Sequence, residues 1–476
     1  MKRLFVLMNF LISNYEKKII IIIFIGIGIS CSAQNCNSFN NIEGRWLINI
    51  NSNDVGLAKT IFTFETESNT FVAYTRKKAT SDILGFWKSS LVRIFTNNFT
   101  NGSLLNITEG RLEEINDTIL LKGLFRSAMG NYNFIGKIVN DSLTANLTNR
   151  NHKSRGSISG HKTNINSPLF GYPEIINEVF ITTKDKIFNP EILETKEWKK
   201  FEKIIKKKSH KVMDDIELIF SFYYFASNLP ISHYYLIKTQ PLENSELEVI
   251  PSKRFVSLDD KSETTAYLKI KSFNGTANEM DSIFSVIKKK NYLNLIVDLR
   301  NNIGGNVEAG MEFAKNVVDT TIIGGIFLTQ KWFANHKNIP ELNEYNQFHH
   351  FTASNYDLLK QGIHEKQGIV LKVIPNKDPF KGQLFILTNN NTASTCEPIV
   401  YSLKNHNRAT IIGESTAGAM LSGESFDLQN DYSLFVPTAD YYTSDGYRID
   451  QKGVKPNIEI KADQALEYVL NNLIDP

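Results

Sequence analysis

The chain has 476 residues, too many for one ordinary hydrophobic core, so two or three domains are expected. Hydrophobic residues make up 42%, charged residues 22%, and the formal net charge is +3. That is the balance of a globular protein and excludes a broad basic surface for nucleic acid.

The first predicted element is a targeting segment. Lys17 and Lys18 precede the apolar run Ile19 to Ile29, and the small residues Ser30, Cys31, Ser32 and Ala33 follow. A basic flank, a short apolar core and small residues at its end read as an export signal, residues 1–33, cleaved after Ala33. The run is short for a membrane span. Lipidation of Cys31 is the alternative, with Gly28 a poor residue three places before it, and contact with a membrane is expected only in that case. The expected location is the periplasm, cell envelope or medium. Cleavage leaves Cys36 and Cys396, too few for a disulfide framework. With no Cys-x-x-Cys and no His-Glu-x-x-His, a metal site is not expected.

Residues 34–165 read as an all-β domain. Runs such as Trp46–Ile50, Thr60–Phe64, Thr70–Tyr74 and Tyr132–Gly136 alternate apolar with polar residues. Turn residues punctuate them at roughly ten-residue spacing, as in a barrel or sandwich. Gly44-Arg45-Trp46 opening the first strand is similar to the start of a lipocalin-like barrel. Residues 166–255 read as mainly helical. Trp198, Phe201, Ile204 and Ile205 share one amphipathic face, and Lys203 with Lys206-Lys207-Lys208 forms its solvated side. A second helix over Ile216–Phe225 ends before Pro230. His233 then opens an extended segment.

From residue 256 to 476 strand and helix signals alternate, which predicts an α/β core with largely parallel strands. Tyr267–Ile270 reads as a strand, Asn278–Lys289 as a helix, Leu293–Asp298 as a strand and Glu308–Val318 as a helix. Residues 330–365 read as an insertion near the site or an irregular loop. Leu384–Leu387 is a buried strand and Glu397–Leu403 a helix, with Pro398 in its first turn.

Three segments carry chemistry. Ser394 lies where a buried strand meets a helix, so helix N-terminal amides there can stabilise an oxyanion. Ser394-x-x-Glu397 is also a capping-box pattern, needing no chemistry at all. Asp298 ends a strand before the turn Gly304-Gly305, which leaves backbone N–H groups pointing outward or marks an ordinary positive-φ turn. Ser232-His233 is the third, with His210, His336, His349, His350, His364 and His406 as competing histidines.

Together these segments resemble peptidase family S41, the tail-specific and tricorn-core serine proteases. Asp298-Leu299-Arg300-Asn301-Asn302-x-Gly304-Gly305 matches the strand and glycine turn of the family. Thr392–Glu397 matches its nucleophile segment, Arg408–Gly418 the strand and loop after it, and Gly453-Val454-x-Pro456 its closing motif. The resemblance covers about residues 190–476 and implies a ClpP/crotonase-like α/β core. In the processing branch a lysine follows the nucleophile by 25 residues; that position is Ala419. The resemblance therefore favours the tricorn-like branch, with His233 after Ser232 as base. Asp450 stands where a glutamate is usual, with Asp445, Glu414 and Glu424 as other acids nearby.

What this implies is an exported serine peptidase acting on peptides or proteins without a cofactor. Serine is a poor nucleophile unless a base takes its proton, and an imidazole with an ordinary pKa near ~6.5 suits that role. Asp450, directly or through Ser232, would fix the tautomer of His233. The N–H groups of Gly305 and Thr395 would bind the oxyanion, with Gly304 as the fallback donor. About thirty residues separate His233 from Tyr267, too few for the PDZ domain of the processing branch. The alternative is a non-catalytic binding protein for peptides or apolar ligands on the same scaffold.

Overall fold

The structure, a computed structural model, describes residues 39, 41–52, 55–239, 255–275, 277–353 and 355–474. The export signal, Cys31 and Cys36 lie outside the described residues. No described helix is long and apolar enough to cross a membrane.

Period-two alternation builds the first unit. Strands β1 (Gly44–Ser52), β2 (Gly56–Glu67), β3 (Thr70–Tyr74), β4 (Asn106–Ile115), β5 (Thr118–Ser127), β6 (Gly130–Val139), β7 (Ser142–Thr148) and β8 (Ser154–Lys162) pair in sequence. β1 then pairs antiparallel with β8, closing an eight-stranded barrel and leaving no open edge. Trp46, Ile48 and Ile50 of β1 point inward, and Trp46 Nε1 donates to Ile42 O at 2.8 Å. Phe62, Phe64, Phe71 and Phe134 fill the interior with tilted, stacked and edge-to-face rings at 5.8–6.4 Å. Of the barrel and the sandwich expected for the N-terminal all-β domain, the structure has the barrel, consistent with the lipocalin-like description. Two helices that sequence periodicity does not single out, α1 (Ala79–Leu84) and α2 (Phe86–Phe95), lie between β3 and β4.

Three helices follow: α3 (Tyr172–Lys186), α4 (Lys196–Ser209) and α5 (Asp215–Ala226). Trp198, Phe201 and Ile205 of α4 are buried as predicted, with Ile204 at the edge of that face. α5 begins at Asp214, whose carboxylate accepts the Glu217 N–H at 2.9 Å as an N-cap. The same carboxylate accepts the Thr60 hydroxyl of the barrel at 2.6 Å.

Burial beside the negative charge of Glu217 pushes the Asp214 carboxyl up to about 8. A carboxyl raised in the folded state contributes stability that is fully present below its unfolded pKa of roughly 3.9 and is lost as pH rises through about 8. The melting temperature is therefore expected to fall by several degrees between pH 6 and pH 9. Asp214→Asn, which carries no charge to titrate, should flatten that slope in a pH series of differential scanning fluorimetry. Parallel profiles for the two proteins would refute the assignment.

The α/β core contains two sheets. Its remaining elements are β9 (Tyr235–Lys238), β10 (Val256–Asp260), β11 (Thr265–Ile270), α6 (Ala277–Lys289), β12 (Asn294–Asp298), α7 (Val307–Val317), β13 (Ile322–Thr329), α8 (Gln330–Phe333) and β14 (His349–Phe351). They continue with α9 (Tyr356–Glu365), β15 (Gly368–Val373), β16 (Gln383–Thr388), α10 (Cys396–Asn405), β17 (Thr410–Gly413), β18 (Leu421–Leu428), β19 (Tyr432–Thr443), β20 (Ile458–Glu459) and α11 (Ala465–Asn472). The first sheet runs β10-β11-β12-β16-β17-β20, parallel except for the edge strand β10. Every residue of β12 is buried, as a parallel strand covered on both faces requires. The second sheet runs β14-β15-β13-β19-β18, and β9 also pairs with β19. The described residues of 330–365 include α8, the edge strand β14 and α9, which fits the insertion reading of this stretch and not the irregular loop.

Candidate active site

Parallel strands expose their C-terminal ends, where loops gather functional groups. The neighbours β12 and β16 end there, at Asp298 and Thr388. β12 runs into the turn Gly304-Gly305 and β16 into the turn that carries Ser394.

The two turns are bound to each other. Ala393 N–H donates to Asn302 O at 3.0 Å, and the Thr395 hydroxyl donates to Gly305 O at 2.6 Å. Gly304 has φ +96°, and a Cβ there would lie 2.7 Å from Ser394 Cβ. Only a glycine permits this approach. Ser394 itself has φ +56°, a region non-glycine residues seldom occupy, at the sharp junction ahead of α10.

Glu397 explains how that junction holds. Its carboxylate accepts the N–H groups of Ser394 (3.1 Å), Gly418 (2.7 Å) and Ala419 (2.8 Å) and the hydroxyl of Thr416 (2.6 Å). Burial raises its carboxyl above the usual range even against these donors. Half of the expected capping box therefore forms, from Glu397 to the Ser394 backbone. The Ser394 hydroxyl makes no hydrogen bond among the described residues, so it is not spent on the cap. The sequence pattern identifies Glu397 only as a capping partner; its hold on the Thr416–Ala419 loop is long-range and has no local signal.

His233 follows α5 in the extended segment before β9, with φ +56°. Its Nδ1 lies 2.7 Å from Ser232 Oγ, and Ser232 Oγ donates to Asp450 Oδ1 at 2.5 Å. Asp450 is fully buried and also accepts the N–H groups of Ser232 (3.3 Å) and Met420 (3.1 Å). Arg448 Nη2 stands 3.5 Å from Asp450, and Arg448 Nε pairs with buried Asp440 at 2.8 Å. Burial pushes the Asp440 carboxyl up to about 6, against the opposing pull of Arg448. Arg448 and Asp440 have no family motif in the sequence to mark them.

Ser394, Thr395, Gly305 and His233 line one cavity of ≈ 440 Å³. Its wall is apolar, with Met311, Phe327, Leu359, Leu371 and Leu403 among the lining residues. Neither the Gly305 N–H nor the Thr395 N–H has an acceptor among the described residues. The Gly304 N–H does, donating to Asn302 Oδ1 at 2.9 Å, which commits the fallback donor elsewhere. Among the described residues no lysine lines the cavity, and the residue 25 positions after Ser394 is Ala419.

The other candidates have different partners. Asp445 Oδ2 accepts from Tyr401 at 2.8 Å, Glu414 Oε1 from the Ala462 N–H at 3.2 Å, and Glu424 pairs with Lys360 at 2.9 Å. His336 stacks on Trp332, and His406 Nδ1 lies 2.9 Å from Ser402 O.

The sequence model of peptidase family S41 matches residues 264–460, which hold the glycine turn, Ser394 and Asp450. The α/β core belongs to peptidase family S41. The S41 core is 24% identical over 224 residues to carboxyl-terminal-processing peptidase 3, chloroplastic, of Arabidopsis thaliana, covering 47% of this chain and 36% of that protein. It is 25% identical over 215 residues to a carboxyl-terminal-processing protease of Picosynechococcus, covering 45% and 43%. The match thus spans less than half the length of these curated relatives. In three dimensions it is similar to a lipoprotein from Streptococcus agalactiae, with 16% identity and a TM-score of 0.43 over 63% of this chain and 95% of that one.

Proposed function

We propose that the chain is an exported serine peptidase in which Ser394 is the nucleophile, His233 the general base and Asp450 the acid acting through Ser232. The observation that carries this reading is the hydrogen-bonded chain Asp450–Ser232–His233, whose imidazole lines the same cavity as Ser394.

The chemistry follows from the donors. Ser232 gives its only hydroxyl proton to Asp450, so its lone pair accepts the Nδ1–H of His233. That leaves Nε2 as the basic nitrogen. Ser394 Oγ attacks the scissile carbonyl carbon while its proton passes to Nε2. The carbonyl oxygen becomes an oxyanion held by the N–H groups of Gly305 and Thr395, each such donor contributing roughly 2.7–4 kcal/mol in known cases. The imidazolium then protonates the leaving amine, giving an acyl-serine. Water, deprotonated by His233, attacks that ester and releases the acid. Asp450 is one methylene shorter than glutamate, and the Ser232 hydroxyl spans the remaining distance to the ring.

The apolar wall beside Ser394 sets the substrate preference. A cavity of ≈ 440 Å³ accommodates a large aliphatic or aromatic side chain. A charged one would lose its hydration without a partner there. Peptides with Phe or Leu on the acyl side of the scissile bond are expected to be cleaved at least 10-fold faster in kcat/KM than those with Asp or Lys, which corresponds to about 1.4 kcal/mol. Gly324 lines the cavity, and a Cβ there meets nothing nearer than 3.6 Å. Gly324→Val should therefore move the preference towards Ala. A fluorogenic peptide series checks both. No turnover of any member would leave the binding-protein reading in place.

A further inference from the structure

His233 lies in a segment whose two flanks, α5 and β9, both rest on the N-terminal barrel. At the start of α5, Asp214 accepts the Thr60 hydroxyl of β2 at 2.6 Å, and Asp215 Oδ2 accepts the Lys59 N–H at 2.9 Å. Arg76, just beyond β3, grips the Glu217 carboxylate with two nitrogens at 2.8 and 2.9 Å. A bidentate arginine pair fixes orientation as well as distance.

On the other flank, Lys238 of β9 donates its N–H to Val55 O at 3.2 Å, in the turn between β1 and β2. Gly56, which opens β2 directly after Val55, has φ +73°, and a Cβ there would lie 1.6 Å from Lys238 O. No side chain fits between the barrel and β9 at this point. The buried Lys238 ammonium lies 3.5 Å from buried Asp215 and donates to Asn430 O at 2.5 Å. Asp215 Oδ1 also accepts the hydroxyls of Tyr172 (3.2 Å) and Tyr432 (2.6 Å). One carboxylate thus joins barrel, α3, β9 and β19.

Between these clamps His233 has φ +56°, a conformation that persists only where the surroundings over-determine it. We propose that the barrel is a positioning element of the catalytic site: through Thr60, Arg76 and the Val55-Gly56 turn it holds α5 and β9 so that His233 stays aimed at Ser394. This rests on the reading of His233 as the base.

The test uses the full chain with Gly56→Ala, which forces the turn away from β9, and Thr60→Val, which removes a donor to Asp214. Thr60→Ser restores the hydroxyl, and Leu143→Ala destabilises the barrel core at a residue outside this interface. Kinetics on a fluorogenic peptide, the rate of Ser394 labelling by a fluorophosphonate, and melting temperature are measured for each. Misplacement of about 1 Å costs up to about 100-fold in rate. We expect kcat and labelling rate to fall about 10–100-fold in Gly56→Ala and Thr60→Val, with KM changed less than about 3-fold. Thr60→Ser should recover the rate, and Leu143→Ala should keep it despite a lower melting temperature. If Gly56→Ala fails to fold, the two Thr60 variants decide the matter. Wild-type kcat in the interface variants, or losses that track melting temperature across all four, would overturn the positioning role while leaving the peptidase reading intact. An inert, unlabelled wild type would overturn both.

Discussion

Ser394→Ala protein is expected to lose peptide hydrolysis by about 10⁶-fold in kcat, the loss typical of removing a serine nucleophile that acts as a unit with its base. The fold should be unaffected. The Ser394 hydroxyl makes no hydrogen bond among the described residues, and the bonds that hold the junction run from the Ser394 backbone to Glu397. Alanine keeps all of them, so the unfolding free energy should stay within the roughly ±0.5 kcal/mol range of neutral substitutions. A residual rate above that of water is expected, because the Gly305 and Thr395 N–H groups and the apolar cavity remain. Steady-state kinetics with circular dichroism on the same samples checks both statements. Wild-type hydrolysis by Ser394→Ala protein would end the account of the nucleophile.

The second large effect concerns the relay. Asp450→Asn puts an amide where Ser232 Oγ now donates, so the hydroxyl turns its proton toward His233 Nδ1 and the ring proton moves to Nε2. The base then presents the wrong tautomer, and kcat should fall about 10⁴-fold with little change in KM. Ser232→Ala removes the bridge but leaves the Asp450 carboxylate its Met420 and Ser232 N–H donors, so a loss of about 10²–10⁴-fold is expected. Because the two side chains act in series, the double variant should be no slower than Asp450→Asn alone. A double-mutant cycle in kcat measures this directly. Additive losses would mean that Asp450 does not act through Ser232.

The parts of this site that were legible in the sequence are those whose signals are local. Gly304-Gly305 after a buried strand, Ser394 before a helix and Pro398 in its first turn are short patterns that mark strand-to-helix junctions within a few residues. The strands of the first domain were legible for the same reason, since Trp46, Ile48 and Ile50 alternate with polar residues; the choice of barrel over sandwich rests on the distant β1–β8 pairing. What escaped the sequence depends on distant partners. Glu397 reads as a cap from three residues away, yet three of its four donors come from Thr416, Gly418 and Ala419. Arg448 between Asp440 and Asp450 is set by the pairing within β19 and the loop after it. Residues 330–365 could be read only as an insertion near the site or an irregular loop, because β14 is only three residues long and α9 is flanked by polar stretches. Even so, α9 brings Tyr356 and Leu359 to the cavity wall. The docking of the barrel was illegible altogether: Asp214, Asp215 and Glu217 look like the acidic first turn that any helix favours.

The central claim is that His233 activates Ser394, and the rate and site of fluorophosphonate attachment test it most directly. Mass spectrometry of the wild-type protein should place the adduct on Ser394, and the attachment rate should fall at least about 100-fold in His233→Ala, as loss of a general base requires. An adduct on another residue, or equal rates in wild type and His233→Ala, would contradict it.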